Sequence, residues 1–583
     1  MSTGSSKSGR SRQRQTQKGR PSSAKEAPKP LPPPPDARKP SERAWLIGCI
    51  LILLLAAFLR LYQLDLVPLH HDEGVNGNFL VRLVREGVYQ YDPQNYHGPT
   101  LYYFSALLGW TIKFLFGAHA ANTYGLNTVT IRLVTALFGL ATVGLVLTLR
   151  RRLGTAGTLA AATLLAASPG AVYLSRYFIH ETLFTFFALS VVVASLRYYE
   201  DGHPVYLVLA AASSALLFAT KETVIINGPV LLIALASTQL YLWLRNRGSS
   251  QGRQRSKYPT EEASLSDRLS TNVERLGGSS RLLVWSFVAL AVFVGVSVLF
   301  YSSFFTNYPK GVYDSLRTFQ VWSKTGQQAH VHPTWKYLEW VALQEGPLLL
   351  LGTVGAAIAV WRPKNSFVLF SALWAFGTLA AYSLVPYKTP WLTLNFIVPL
   401  ALVSGCALQA IYDYGGGELR ILSAILMLLA CFSIYQTVDL NFFNYDNDKK
   451  TIELPFQPDP VRVQYYTYVY AHTRRETLAL VDEIERIARS SGEHSNMGIT
   501  IVSPDYWPLP WYFRDFTRVG YFGRITSSTE PVIIASESQR AEVQALFGDR
   551  YQLVNSRLNP AGSYPLRPGV ELLVLVRRDL PTR

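Results

Sequence analysis

Two imidazoles and two carboxylates stand in a row at His70, His71, Asp72 and Glu73, just past an apolar run, 45–61, that carries Arg60 near its end. Ionisable side chains beside a hydrocarbon-spanning segment are costly unless they face water or a polar cavity. Such groups can take a proton from a hydroxyl, hold a cation or fix sugar hydroxyls; in a solvated loop they do none of this. Other polar residues stand in similar places. His97 lies in Tyr96-His97-Gly98-Pro99. Arg176, His180 and Glu181 share one short connection, Lys221 and Glu222 another, and Tyr387, Lys388 and Trp391 a third. Carboxylates among imidazoles and cations suit a site that holds an anionic phosphate and activates a hydroxyl. The Lys or Arg offsets phosphate charge while an Asp accepts the proton of the nucleophile. Each residue also has a plainer reading. Arg176 and Lys388 stand where long cations snorkel to an interface, Lys221-Glu222 is spaced as a local ion pair at a helix end, and His180 suits a structural hydrogen bond. His330 and His332 form a His-x-His pair, two ligands of an incomplete metal site.

What positions these residues is a set of apolar runs. The chain has 583 residues, 49% hydrophobic and 16% charged, well short of the roughly 25% charge of soluble domains, and several runs reach spanning length. This is the composition of a polytopic α-helical membrane protein. The formal charge of +16 does not imply nucleic acid, because much of the excess lies in residues 1–44 and in the segment 245–281, as the positive-inside rule places it. Cys49, Cys406 and Cys431 all lie in apolar segments, so neither a disulfide framework nor a thiolate metal site follows. No phosphate-cradling glycine loop is present, which argues against an intrinsic nucleotide motor. Residues 1–44, rich in Ser, Gly, Lys, Arg and Pro, read as a disordered cytoplasmic tail.

Taken in order, 45–61 leaves the cytoplasm and a first external loop, 62–128, follows. Within it, 75–87 has helical apolar spacing beside Arg82, Arg85 and Glu86 and suits a helix lying along the interface. Residues 101–116 are short, aromatic and interrupted by Lys113. Run 129–149 ends in Arg150-Arg151-Arg152, a cytoplasmic signature, so 101–116 is placed in the external loop as a second interfacial or re-entrant helix. Spans then alternate at 156–174, 182–199, 205–220, 224–244, 282–303, 347–361, 367–385, 391–412 and 419–438. The result is about eleven spans over 45–439, a cytoplasmic loop at 245–281, an external loop at 304–345 and an outer C-terminus on the cell membrane. Residues 440–583 alternate strands (498–502, 532–535, 551–554, 572–576) with helices (474–489, 537–547), an extracytoplasmic α/β domain. Its aromatic stretch 505–514 suits packing against the membrane part, with stacking on sugar rings or lipid headgroups as the other reading.

The order of short motifs carries a resemblance. An acidic pair in the first external loop is followed by His97-Gly98-Pro99-Thr100-Leu101-Tyr102-Tyr103, then Ile131-Arg132-Leu133-Val134-Thr135-Ala136-Leu137-Phe138-Gly139. Arg151-Arg152-Leu153-Gly154, Ser168-Pro169 and Ser175-Arg176-Tyr177-Phe178-Ile179-His180-Glu181 come next. This succession resembles the GT-C membrane glycosyltransferases of the protein mannosyltransferase and lipid A aminoarabinose transferase type. More narrowly, it resembles the prokaryotic flippase activity-associated branch. The similarity covers about residues 45–440 and is strongest over 60–230.

The resemblance implies a polyprenyl-phosphate-linked sugar donor and transfer with inversion to a glycan, protein or lipid acceptor outside the cytoplasm. It places Asp72 at the family's catalytic base, with Glu73 beside it, Glu181 at the second acidic position, Arg176 against donor phosphate and Lys388 at a late basic position. His71, His97, His180, Lys221, Glu222, Tyr387 and Trp391 complete the expected substrate-binding set. The doubled His70-His71, and a glutamate at 181 where many relatives carry aspartate, leave use of a divalent cation open. A rival reading is a non-catalytic accessory or lipid-carrier translocation protein that keeps the fold. A secondary transporter would need symmetry-related interrupted helices, and the sequence shows no convincing repeat.

Overall fold

The structure, a computed structural model, describes residues 41–94, 97–116, 125–249, 265–324, 330–361, 366–414, 419–446, 449–452, 461–464, 466–555 and 562–580. Residues 1–40 of the expected disordered tail, the middle of the basic loop 245–281, and Arg362 and Lys364 lie outside the described residues, as does Tyr96, whereas 42–44 of that tail are the first turn of a helix capped by Ser41. Among the described residues seven helices are long and apolar enough to cross a membrane: Glu42–Leu61, Thr128–Leu147, Glu181–Asp201, Val224–Arg245, Ser279–Tyr301, Ser366–Leu384 and Pro390–Asp413. Two bent pairs, Thr155–Ala166 with Pro169–Ser175 (58°) and Lys336–Gln344 with Gly346–Trp361 (110°), raise this to nine if each is one span. Shorter apolar helices, Val205–Phe218 and Leu428–Phe443, stand at the two remaining expected places. The chain is thus a multi-pass membrane protein.

Local chemistry explains the breaks. Pro169 cannot donate into the preceding helix and pushes Ser168 out of the helical region; Ser168 then caps the next helix by accepting from the Ala171 N–H at 3.1 Å. The Pro390–Asp413 element is the core of the bundle, with 72% of its apolar window buried.

The polar ends of the helices sort into two groups. At one end Arg150 donates to Glu42, Arg152 to Glu200, and Arg151 reaches Asp201. These join the start of the first helix to the ends of Thr128–Leu147 and Glu181–Asp201, so the three arginines share one end of the bundle with those acids. The first turn of His71–Glu86, the start of Glu181–Asp201, the 219–223 turn and the 385–391 segment gather at the other end, around one cavity. The helix expected at 75–87 begins at His71, and its buried residues Val75, Leu80, Val81, Leu83 and Val84 pack beside Thr100–Phe116.

A sheet domain follows the bundle and forms one compact unit with it. The hairpin strands are β1 (Lys449–Ile452) and β2 (Val461–Gln464). The main sheet has β3 (Gly498–Ile501), β4 (Arg518–Tyr521), β5 (Val532–Ser536), β6 (Tyr551–Val554), β7 (Tyr564–Arg567) and β8 (Val570–Arg577). Its order is β4-β3-β5-β8-β6 with β7 beside β8; β3 runs parallel to β4 and β5, and β8 is antiparallel to its partners. All five residues of β5 are buried, and they alternate between two covered faces as a pleated strand requires. Val532 and Ile534 face helix Thr477–Ser490 through Leu480, Ile484 and Ile487, while Ile533 and Ala535 face Val543 and Phe547.

This domain docks on the bundle through Leu509–Tyr512, which packs against His71–Glu86. The Tyr512 hydroxyl accepts from the Leu69 N–H at 2.9 Å, Arg85 donates to the Arg514 carbonyl at 2.7 Å, and Arg514 donates to the Leu126 carbonyl at 3.1 Å. For this part of the aromatic stretch, packing against the membrane part is what the structure shows.

Candidate active site

Side chains from the bundle, the long loop and the sheet domain enclose a cavity of about 750 Å³. Of the residues singled out from sequence, His71, Asp72, His97, His180, Glu181, Lys221, Glu222, Tyr387 and Trp391 line it. Glu73, Arg176 and Lys388 do not.

The His71–Glu86 helix sets the first wall. His70 caps it: its Nδ1 accepts from the Asp72 N–H at 3.2 Å while its Nε2 donates to the Tyr470 carbonyl at 3.0 Å. Those two bonds together require the neutral Nε2–H tautomer. Glu73 returns the cap by accepting from the His70 N–H at 3.0 Å. It is fully buried, and its other donors are the Phe178 N–H at 2.8 Å and a two-pronged Arg132 at 2.7 and 2.6 Å. Arg132 spends its remaining donors on the carbonyls of Leu64, Val67 and Pro68. Both charges are therefore consumed in tying the first helix, the loop after it and the 178 turn together. Asp72, one residue earlier, turns the other way. Its side chain is 34% exposed, it lines the cavity, and His70 Nδ1 at 4.0 Å is already an acceptor.

The second wall is two neighbouring pairs. Lys221 donates to Glu181, both side chains buried, and His97 Nδ1 lies 2.9 Å from Glu222. Burial pushes the Glu222 carboxyl up, but His97 and Lys221 outweigh it and hold it down at about 2. These residues meet because the His97-Gly98-Pro99 segment lies flat on the 219–222 turn. The Gly98 N–H donates to the Thr220 carbonyl at 3.1 Å and the Thr100 N–H to the Ala219 carbonyl at 3.3 Å. A Cβ on Gly98 would run into the Ala219 carbonyl oxygen, so the approach requires glycine. His180 donates from Nε2 to the Gly98 carbonyl at 3.0 Å and stacks edge-on against His97 with centroids 5.1 Å apart. Burial, with His97 and Lys221 nearby, keeps its imidazole well below the ordinary range and hence neutral.

The third wall joins distant segments. Strand-like pairing of Val331 with Tyr387 brings His330 to the Tyr470 hydroxyl at 2.7 Å, and Trp391 stands 6.1 Å from the Tyr470 ring. Arg567, at the end of β7, enters the lining from the sheet domain, donating to Asp505 and, at 3.4 Å, to His71 Nδ1. Among the described residues, no three His, Cys, Asp or Glu side chains gather so as to hold a metal ion.

Two expected phosphate contacts lie elsewhere. Arg176 donates to the carbonyls of Leu59, Tyr62 and Gln63 and borders a small separate pocket with Arg132 and Tyr173. Lys388 is buried and donates to the Val385 carbonyl.

Comparison with known proteins places this geometry. The family model described as dolichyl-phosphate-mannose-protein mannosyltransferase matches residues 107–250, the stretch that contains Arg132, His180, Glu181, Lys221 and Glu222. The crystal structure of ArnT from Cupriavidus metallidurans bound to undecaprenyl phosphate superposes with a TM-score of 0.56, covering 92% of this chain and 98% of that one at 13% identity. The chain has the fold of this ArnT. The apo state of the same ArnT aligns over 91% of this chain and 98% of its own, at 15% identity and a TM-score of 0.51. No curated protein gives a significant sequence match.

Within this fold, sequence reasoning assigned no role to Arg132, Tyr470 or Arg567, and weighed His330 only as half of a His-x-His pair. Arg132 carried a usable signal, since an arginine inside the apolar run 129–149 must find a buried partner. Arg567 and Tyr470 carried none, because nothing local marks which residue of a remote sheet domain reaches a cavity.

Proposed function

We propose that this protein transfers a sugar from a polyprenyl-phosphate-linked donor to an acceptor hydroxyl on the extracytoplasmic side of the membrane, with inversion and with Asp72 as general base. The observation that carries the reading is the contrast between Asp72 and its neighbours. Among the acids lining the cavity, Glu181 is held by Lys221 and Glu222 by His97. Asp72 has no hydrogen bond to its carboxylate among the described residues and faces the open space. A base must be able to reach the proton it removes.

In the reaction the acceptor O–H gives its proton to Asp72 as its oxygen bonds the anomeric carbon. The bond from that carbon to the phosphate oxygen breaks, and polyprenyl phosphate departs with the electron pair. Lys221 is the cation best placed to meet that developing charge, fixed in direction by Glu181 and standing at a helix end near the hydrocarbon boundary. The ArnT relative in fold was crystallised with undecaprenyl phosphate, which supports a donor of this class here. The arginine cluster at the opposite end of the bundle supports an outward-facing cavity and a cytoplasmic N-terminus. Arg176 and Glu73 act in this account by holding the walls in place.

The reaction class is tested by NMR of the product formed from a synthetic polyprenyl-phosphate sugar of known anomeric configuration. Inverted linkage is expected; retained configuration would overturn direct displacement from the face opposite the leaving phosphate.

A further inference from the structure

The aromatic stretch 505–514 divides in two. Pro508 and Trp511 are buried against Gly74 and Gly77 of the His71–Glu86 helix, whereas Tyr506 and Trp507 stay half-buried, with Tyr506 meeting Tyr521. Ring centroids step from Tyr521 to Tyr506 at 5.3 Å, from Tyr506 to Trp507 at 5.8 Å, and from Trp507 to His71 at 6.1 Å. His71 lines the cavity next to Asp72. The ledge thus runs from open solvent to the candidate base. Beside it lies the Asp505–Arg567 pair, with side chains 44% and 18% exposed, and Arg567 already forms part of the cavity wall.

Docking explains the buried half of the stretch; Tyr506 and Tyr521 rest on the sheet domain's core by one side, and with Trp507 they keep part of each ring open. A pyranose ring presents polarised C–H groups that favour the negative face of an aromatic ring. Its hydroxyls both donate and accept, and a carboxylate–guanidinium pair answers both. A hydrocarbon surface would gain nothing from Asp505 and Arg567. We infer that this ledge is the acceptor site, and that the acceptor is a glycan laid along Tyr521, Tyr506 and Trp507 with a hydroxyl delivered past His71 to Asp72. The inference rests on the transferase reading for the direction of delivery, but binding of a glycan to the ledge stands apart from it.

The test uses the purified full chain in nanodiscs, titrated calorimetrically with a panel of linear mannose, glucose and galactose oligosaccharides, and separately with polyprenyl phosphate. Wild type and Asp72→Asn are expected to bind an oligosaccharide alike. Trp507→Ala and Arg567→Gln should each weaken it about tenfold, the scale of one lost stacking or charged contact, with polyprenyl phosphate affinity unchanged. In transfer assays the same variants should raise the acceptor KM and leave the donor KM in place. Arg567 contributes no ring to the docking contact, so its variant remains informative if Trp507→Ala fails to fold. Unchanged glycan affinity in Arg567→Gln and in a folded Trp507→Ala would overturn the ledge. So would the absence of oligosaccharide binding together with quenching of Trp507 by brominated lipid, which would make the ledge a membrane contact. Glycan binding lost in the ledge variants, in a protein that transfers no sugar, would retain the ledge and remove the transferase.

Discussion

Asp72 and Glu73 are adjacent carboxylates with opposite fates, and the difference is one of donors. Glu73 takes four hydrogen bonds inside the protein, two from Arg132, whereas Asp72 is left to the cavity. Removing one partner of a buried pair leaves an uncompensated charge, worth about 3–5 kcal/mol. Glu73→Gln is therefore expected to lower thermal stability sharply, and Glu73→Gln combined with Arg132→Met to recover part of it. Melting curves of the two variants in detergent check this, and equal losses would mean that the pair is not the staple described. The sequence showed that this cluster was costly and had to face something polar. It could not say which of the two acids was spent on structure, because that depends on Arg132, about sixty residues away. The same blindness applies to Arg176: its type suits phosphate, but three backbone carbonyls occupy it.

At the scale of elements, the His71–Glu86 helix is the part on which everything turns. It carries Asp72, the proposed base, at its first turn, receives the sheet domain on one side and rests beside Thr100–Phe116 on the other. A Cβ on Gly74 would stand 2.5 Å from Pro508 Cβ and 2.8 Å from its Cα, contacts that backbone cannot yield cheaply. Gly74→Ala should cost about 1–3 kcal/mol, the scale of overpacking, and loosen the docked domain. Limited proteolysis should then cut near 505–514 faster than in wild type, and an unchanged pattern would mean that the contact is not close in solution. Apolar runs made the helices of the bundle legible, since length and hydropathy suffice for them. The short strand β4 was not legible, because four residues, one exposed and three half-buried, lack the alternation that marks a half-buried strand. The start of the helix at His71 was hidden as well, since a histidine cap is not among the usual capping residues.

Over the whole molecule, several histidines outside the spans are held neutral by burial. His71, His180 and His332 all have imidazoles pushed below the ordinary 6.5, with burial the leading cause in each and nearby cations adding to it. The unfolded chain therefore binds more protons than the folded one below that value, and stability rises with pH there. Their contribution is complete above about pH 6.5 and is lost as pH falls. The melting temperature is expected to drop between pH 7.5 and pH 5, and His71→Gln should shrink that drop. A melting temperature that rises on acidification would contradict the assignment of neutral imidazoles.

The same whole-molecule view sets the central claim: helix ends from across the chain converge so that one carboxylate is free to do chemistry. The most direct test is sugar transfer from polyprenyl-phosphate donors by purified wild type and Asp72→Asn, with donor binding and melting temperature followed in parallel. The account predicts that Asp72→Asn folds and binds donor as wild type does while transfer falls by about 10²–10⁴, the usual worth of a positioned base. Transfer at the wild-type rate in Asp72→Asn would contradict it. Donor binding without transfer in either protein would instead favour a lipid-carrier translocation or accessory role for the same cavity.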